Sequence, residues 1–93
     1  MEHASLYEIG ELVYAREAIH NDGGVPGVNE SALLAAPGTR GMVAQTGYAE
    51  ADERQVIYLV CFENGDGKLG LPVGCLPEEL TQDETLARSL ATA

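Results

Sequence analysis

A small all-β domain is the fold class that this sequence predicts, and three features indicate it. Eleven Gly and four Pro residues divide the 93-residue chain into short apolar runs, a pattern typical of short strands joined by turns. The segment 56–62 is apolar throughout and rich in β-branched and aromatic side chains. The turn residues 64–67 (Asn-Gly-Asp-Gly) follow it directly and predict a hairpin. A chain of this length has room for one hydrophobic core.

The first half of the chain predicts two strands separated by a long loop. The first strand runs from Leu12 to Arg16. Residues 17–31 hold the turn signals Asn-Asp-Gly-Gly at 21–24 and Pro-Gly at 26–27, so we interpret them as one long loop. The second strand occupies 38–45, where Gly38 and Gly41 permit a tight entry and a bulge. A long loop after the first strand is typical of an SH3-like barrel, and we expect such a barrel with about five short strands.

The second half predicts a hairpin. Residues 55–63 form the strongest strand candidate, and their apolar run predicts burial on both faces in the middle of the sheet. The returning strand runs over 69–76. Pro72 lacks an amide donor, so this strand lies at a sheet edge or begins after Pro72.

A short C-terminal helix completes the expected fold. Pro77 begins one helical turn. Thr81 and Glu84 have the spacing of a capping box. The short helix that follows either docks through Leu86 and Leu90, which are one turn apart, or frays. The expected organisation is an N-terminal tail at 1–6, the barrel at 7–80 and a C-terminal helix or tail at 81–93.

The charge limits the classes of partner. The formal net charge is −10, from 15 acidic and 5 basic residues. Contact with a phosphate backbone or an anionic membrane needs clustered Lys and Arg, and the five basic residues are scattered, so we expect neither nucleic acid nor membrane as a partner. The acidity favours solubility or attraction to a basic patch on a partner protein. The N-terminal residues lack the features of a signal peptide, and no apolar run reaches the roughly 20 residues of a membrane span. A cytoplasmic location is therefore expected.

The two cysteines are the main candidates for chemistry. Cys61 and Cys75 fall on the two arms of the predicted hairpin. With His3 and His20 they lack the paired spacing of a structural zinc site. We expect Cys61 to be a small buried hydrophobe and Cys75, near its strand end, to be the more exposed cysteine. No nucleotide-binding glycine motif is present. The residues therefore predict a binding protein that is not an enzyme, and they show no motif for a metal or a cofactor.

Residues 7–80 resemble the NifZ family of nitrogen-fixation accessory proteins. Four segments, in the family's order, carry the likeness: 10–13 with 18–23 and 26–27; 32–34 with 38–43; 56–62; and 73–75 with 78–80. The resemblance implies an SH3-like fold and a role in maturing nitrogenase. Such proteins act as chaperones for the molybdenum–iron protein and assist formation of its iron–sulfur P-cluster.

The resemblance and the loop positions together give a candidate partner-binding set. Loops on a rigid scaffold commonly carry binding residues, and the set comprises Asn21, Asp22, Gly23, Pro26, Gly27, Arg40 and Cys75. The expected partner is the molybdenum–iron protein. The chain has Ala35–Ala36 where the family tends to have basic residues, so another nitrogenase component is an alternative partner.

Three other functions remain open at this point. The chain could be a small SH3-like regulatory or structural subunit of another iron–sulfur or redox enzyme. Residues 38–43 suggest a KOW-like nucleic-acid module, which the net charge disfavours. An enzyme with Cys75 as nucleophile would need a thiol of lowered pKa.

Overall fold

Strands make up most of the regular structure, and one helix follows them. The computed structural model describes residues 7–21, 27, 29, 32–49 and 52–92. The strands are β1 (Leu12–Ala15), β2 (Ile19–His20), β3 (Leu33–Ala35), β4 (Arg40–Tyr48), β5 (Val56–Glu63), β6 (Leu69–Cys75) and β7 (Leu80–Thr81), with a 3-10 turn at Pro77–Glu79 and the helix α1 at Glu84–Thr92. The prediction of a mostly β chain with a short C-terminal helix is confirmed.

Five strands form one antiparallel sheet in the order β6-β5-β4-β1-β7, and β2 and β3 pair separately. The interpretation of Pro72 is confirmed, because β6 is an edge strand. The expected closed barrel is not confirmed. In the described part of the chain β6 and β7 remain the two edges of the sheet, since β6 leads into the turn at Pro77 and β7 has only two residues.

Strand β5 is buried on one face and not on both, so that expectation is wrong. Tyr58, Val60 and Phe62 are buried, whereas the alternate residues are only partly covered. Alternation is the consequence of a pleated strand with a core on one side. The inner side belongs to one hydrophobic cluster: Val13, Ala15, Ile19, Ala35, Val43, Tyr58, Val60, Phe62, Val73, Cys75 and Leu80.

The predicted loop at 17–31 contains β2, the first strand of a hairpin with β3 that the sequence did not indicate. Strand β2 pairs with β3 across residues 21–32, with Ile19 opposite Ala35. Both of these side chains are buried in the core cluster. Strands of two and three residues are too short to show a recognisable alternation of apolar and polar side chains, so the sequence did not predict this hairpin.

Helix α1 docks on this chain, but not as predicted. Asp83, rather than Thr81, caps it: the Leu86 N–H donates to Asp83 Oδ1 at 3.1 Å, and the Thr81 hydroxyl accepts from the Asp83 N–H. Ala87 is the buried residue, and Leu86 and Leu90 are only partly buried. The reason is the close approach of the helix to Gly38, which has no side chain to hold it away.

None of the helices in the described ranges combines the length and apolar character that crossing a bilayer requires.

Candidate functional site

The predicted loop residues divide into a structural anchor and positions that are exposed or not described. Asn21 is buried, its N–H donates to Ala32 O at 2.8 Å, and its side-chain amide donates to Asn29 O at 3.2 Å. It therefore holds the two ends of the loop together. Gly27 is exposed and has a φ of +80°. Asp22, Gly23 and Pro26 lie outside the described residues.

Arg40 is exposed and paired. Its Nε donates to Glu63 Oε2 at 2.6 Å, and this hydrogen bond and the ion pair raise the pKa of Arg40. The guanidinium lies in a depression beside Tyr14 and helix α1. Arg40 is thus separated from the other predicted site residues.

Cys75 is buried, with 1% of its surface exposed. The expectation that it is the more exposed cysteine is wrong, because Cys61 is partly exposed. Cys75 lies opposite Tyr58 on the core side of the sheet, so Cys61, three residues beyond Tyr58 on β5, points to the outer side.

Burial determines the chemistry of the Cys75 thiol. Its Sγ donates to Val73 O at 3.5 Å. Burial, followed by the charge of Glu79, raises the pKa of Cys75 to about 12. A reactive cysteine needs the opposite shift, because the thiolate is the nucleophile and the metal ligand. In the described residues no three His, Cys, Asp or Glu side chains come together as a metal-binding group.

A groove of about 600 Å³ lies between the β2–β3 hairpin and strand β6. This hairpin groove is lined by Ile19, His20, Leu34, Ile57, Leu59, 72–76 and Glu79. It brings Cys75 beside the start of the predicted loop, since His20 directly precedes Asn21. Most of its lining residues have apolar side chains, and polar atoms contribute nearly half of the exposed surface, a mixture that suits a binding site.

The sequence analysis missed most of the groove. Ile57 and Leu59 were assigned to a fully buried strand, Ile19 was placed in the predicted loop, and Leu34 was not assigned to a strand. Gly74 faces the groove and would accept a side chain, because a Cβ there would lie 3.7 Å from the Ile57 side chain. The apolar run 56–62 could have indicated the groove. A strand that is apolar on both sides but buried on one leaves Ile57 and Leu59 partly exposed on the other.

Two smaller depressions adjoin the hairpin groove. The leucine notch, of about 310 Å³, is lined by Leu33, Leu34, Phe62, Glu63, Asn64, Gly70, Leu71 and Val73. The tyrosine shelf, of about 300 Å³, is lined by Gln45, Thr46, Gly47, Tyr48, Ile57 and Leu59. Each shares two lining residues with the groove, so the three depressions are adjacent, and together they are here named the cleft.

The charged residues of the cleft are acidic. Glu79 lines the hairpin groove and Glu63 lines the leucine notch, and among the described lining residues there is no Lys or Arg. Glu79 Oε1 accepts the Leu76 N–H at 2.8 Å, which holds the carboxylate at the groove.

Comparison with known proteins identifies relatives of the chain. The family model described as "NifZ domain" matches residues 4–82. The chain is 33% identical over 95 aligned positions to a curated relative from Frankia alni, "Protein NifZ", and the alignment covers 95% of this chain. It covers 46% of that relative, so the chain spans about half the length of the curated protein it matches. No solved structure matches the chain.

Proposed function

This chain belongs to the NifZ family, and from that premise we propose that it binds the molybdenum–iron protein of nitrogenase and assists assembly of its iron–sulfur P-cluster without catalysing a reaction itself. Membership makes it a nitrogen-fixation-related protein. The partner, the maturation step and the non-catalytic role are the proposed part. A cytoplasmic location stays a prediction.

The observation that carries the proposal is the apolar hairpin groove. A small acidic domain that leaves Ile57 and Leu59 partly uncovered beside a groove of this size is suited to binding a protein surface. The walls of the groove come from β5, β6 and the β2–β3 hairpin, so the site is held by the core and not by a single loop.

The state of Cys75 supports a binding role over a catalytic one. A thiol with a pKa of about 12 remains protonated at neutral pH and is a poor nucleophile and a poor ligand for iron. Cys75 is therefore proposed to form part of the groove floor, and the P-cluster is proposed to be held by the partner and not by this chain.

We also infer that the sheet curls into an open version of the SH3-like barrel. Val73 and Cys75 from one edge strand and Leu80 from the other belong to the same core cluster. A flat sheet would keep residues of its two edges apart, so a shared core requires a strongly curved sheet.

The test is a pull-down with tagged protein from nitrogen-fixing cells, comparing wild-type cells with a strain blocked in P-cluster maturation. Recovery of molybdenum–iron protein subunits, enriched in the blocked strain, is the expected result. Recovery of no nitrogenase subunit would contradict the proposal. Recovery of a different enzyme at constant stoichiometry would instead identify the chain as a subunit of that enzyme.

Two glycine variants connect the pull-down to the groove. Gly74→Leu would place a side chain in the groove, where the neighbours are at ordinary contact distance. Gly65→Leu is the matched control, because Gly65 is exposed in the β5–β6 turn and meets nothing within 4 Å. We expect Gly74→Leu to lose the partner and Gly65→Leu to retain it.

A further inference from the structure

We propose that the cleft binds an extended apolar segment of the partner that carries a cationic side chain, with the cation beside Glu79. The inference rests on the proposed function in taking the occupant to be another protein. It adds the chemistry of the segment and the residues that recognise it.

The order of the depressions along β6 favours an extended occupant. The leucine notch contacts β6 at Gly70 and Leu71, and the hairpin groove contacts it from Pro72 onward. The two depressions share Leu34 and Val73. They therefore follow one another along β6, and an extended segment can contact both.

Half of the strongly exposed apolar side chains in the described residues line the cleft. In the described part of the chain six large hydrophobic residues are strongly exposed, and three of them, Leu33, Tyr48 and Leu71, line the cleft. Each has more than half of its surface exposed. Covering such side chains removes apolar surface from water, which is the favourable term in association.

The acidic residues of the cleft favour a cationic segment as the occupant. The described lining residues include two carboxylates and no Lys or Arg, and Glu63 is already paired with Arg40. The Glu79 carboxylate is held in place by the Leu76 N–H. A net charge of −10 adds a long-range attraction for a positively charged partner.

Two other occupants fit the structure less well. A second copy of this chain would bring two bodies of charge −10 together, which opposes self-association. Addition of a strand to the free edge of β6 is opposed by Pro72, which has no N–H for a ladder. Recognition is therefore expected to depend on side chains.

The experiment selects peptides from a random phage-displayed library on the immobilised full chain and measures the enriched peptides by fluorescence anisotropy. We expect enriched peptides to combine apolar residues with Lys or Arg, and their affinity to fall as salt is raised. Enrichment of acidic or uncharged peptides, or of none, would overturn the inference.

Paired variants locate the binding. Glu79→Gln keeps the acceptor for the Leu76 N–H and removes the charge, and it is expected to weaken binding about twofold to fivefold. Glu78→Gln is its control, since Glu78 is on the same turn but does not line the cleft. Leu71→Ser is expected to weaken binding about fivefold or more, whereas Ile9→Ser, an equally exposed apolar site elsewhere, is expected to leave it unchanged.

Peptide binding and capture of nitrogenase subunits can give different results, and this difference distinguishes a failure of the inference from a failure of the proposed function. If peptides bind the cleft but no nitrogenase subunit is captured from cells, the cleft stands and the function fails. If Leu71→Ser and Glu79→Gln capture nitrogenase subunits as well as wild type does, the function stands and the cleft fails. A dimer that forms at high protein concentration and is lost in Leu71→Ser would also overturn the inference, because a second copy would then be the occupant.

Discussion

Replacing Gly38 by alanine is expected to destabilise the protein more than the same change at any other positive-φ glycine in the described chain. Gly38 has a φ of +87°, and a Cβ built on it would lie 2.5 Å from Ala87 O and 2.8 Å from Ala91 Cβ. The first neighbour is helix backbone and cannot rotate away. The substitution therefore combines backbone strain with a collision against α1.

The two costs can be separated with a second glycine. Gly67 has a φ of +79° and nothing within 4 Å of a built Cβ, so Gly67→Ala introduces strain alone. A non-glycine residue in the left-handed region costs about 1–2 kcal/mol. Overpacking typically adds about 1–3 kcal/mol. We expect a loss of about 1–2 kcal/mol for Gly67→Ala and about 2–5 kcal/mol for Gly38→Ala.

The assay is urea unfolding followed by far-UV circular dichroism, because the chain has no Trp to report by fluorescence. Hydrogen exchange of the α1 amides supplies the second measurement: faster exchange in Gly38→Ala alone would show that the helix has moved off Gly38. Equal free energies of unfolding for the two variants, with unchanged exchange in α1, would refute the close packing of the helix.

Three further predictions concern titratable groups. Cys61 is expected to be alkylated by iodoacetamide before Cys75, because Cys75 is buried. Mass spectrometry identifies the modified residue, and modification of Cys75 before Cys61 would contradict the burial of Cys75. Since burial raises the pKa of Cys75 from 9.0 to about 12, the folded state retains a proton that the unfolded chain releases. The contribution to stability is then intact below about pH 9 and is lost between about pH 9 and about 12, at about 1.4 kcal/mol per pH unit. The difference between wild type and Cys75→Ala separates this contribution from that of the tyrosines. The Gln82 side chain donates to Glu11 Oε1 at 3.0 Å, and this hydrogen bond is the main cause of the lowered pKa of Glu11. Gln82→Ala is therefore expected to raise the pKa of Glu11, which a carbon-13 NMR titration measures. An unchanged pKa would show that the hydrogen bond does not form in solution.

The longer strands of the fold were predictable because their signals are local. Apolar runs bounded by Gly and Pro indicated β1, β4, β5 and β6 to within a few residues. The lack of an amide hydrogen on Pro72 left two possibilities, an edge strand or a strand that begins after Pro72, and the structure shows the edge strand. The short β2, β3 and β7 were missed, since two or three residues do not show a period and their pairing depends on contacts distant in sequence.

The candidate site was predictable only in outline. The end of β6 and the start of the loop do meet at the hairpin groove. The exposure of Cys75 was predicted wrongly, because the side of a pleated strand that faces the core depends on its register with β5. Asn21, one of the predicted partner-binding residues, is buried and holds the loop through its hydrogen bonds, a role that the sequence did not indicate.

The sequence by itself determined the β class, the turns and the acidic surface, all of which follow from the local chemistry of Gly, Pro, β-branched and charged residues. Only the tertiary structure decided which side of each strand is buried, how the β2–β3 hairpin makes a groove with β6, and that α1 packs through Ala87 onto Gly38. Those features depend on register and on close approach between segments far apart in the chain. A local pattern cannot specify either of them, because shifting a strand by one residue exchanges its two faces.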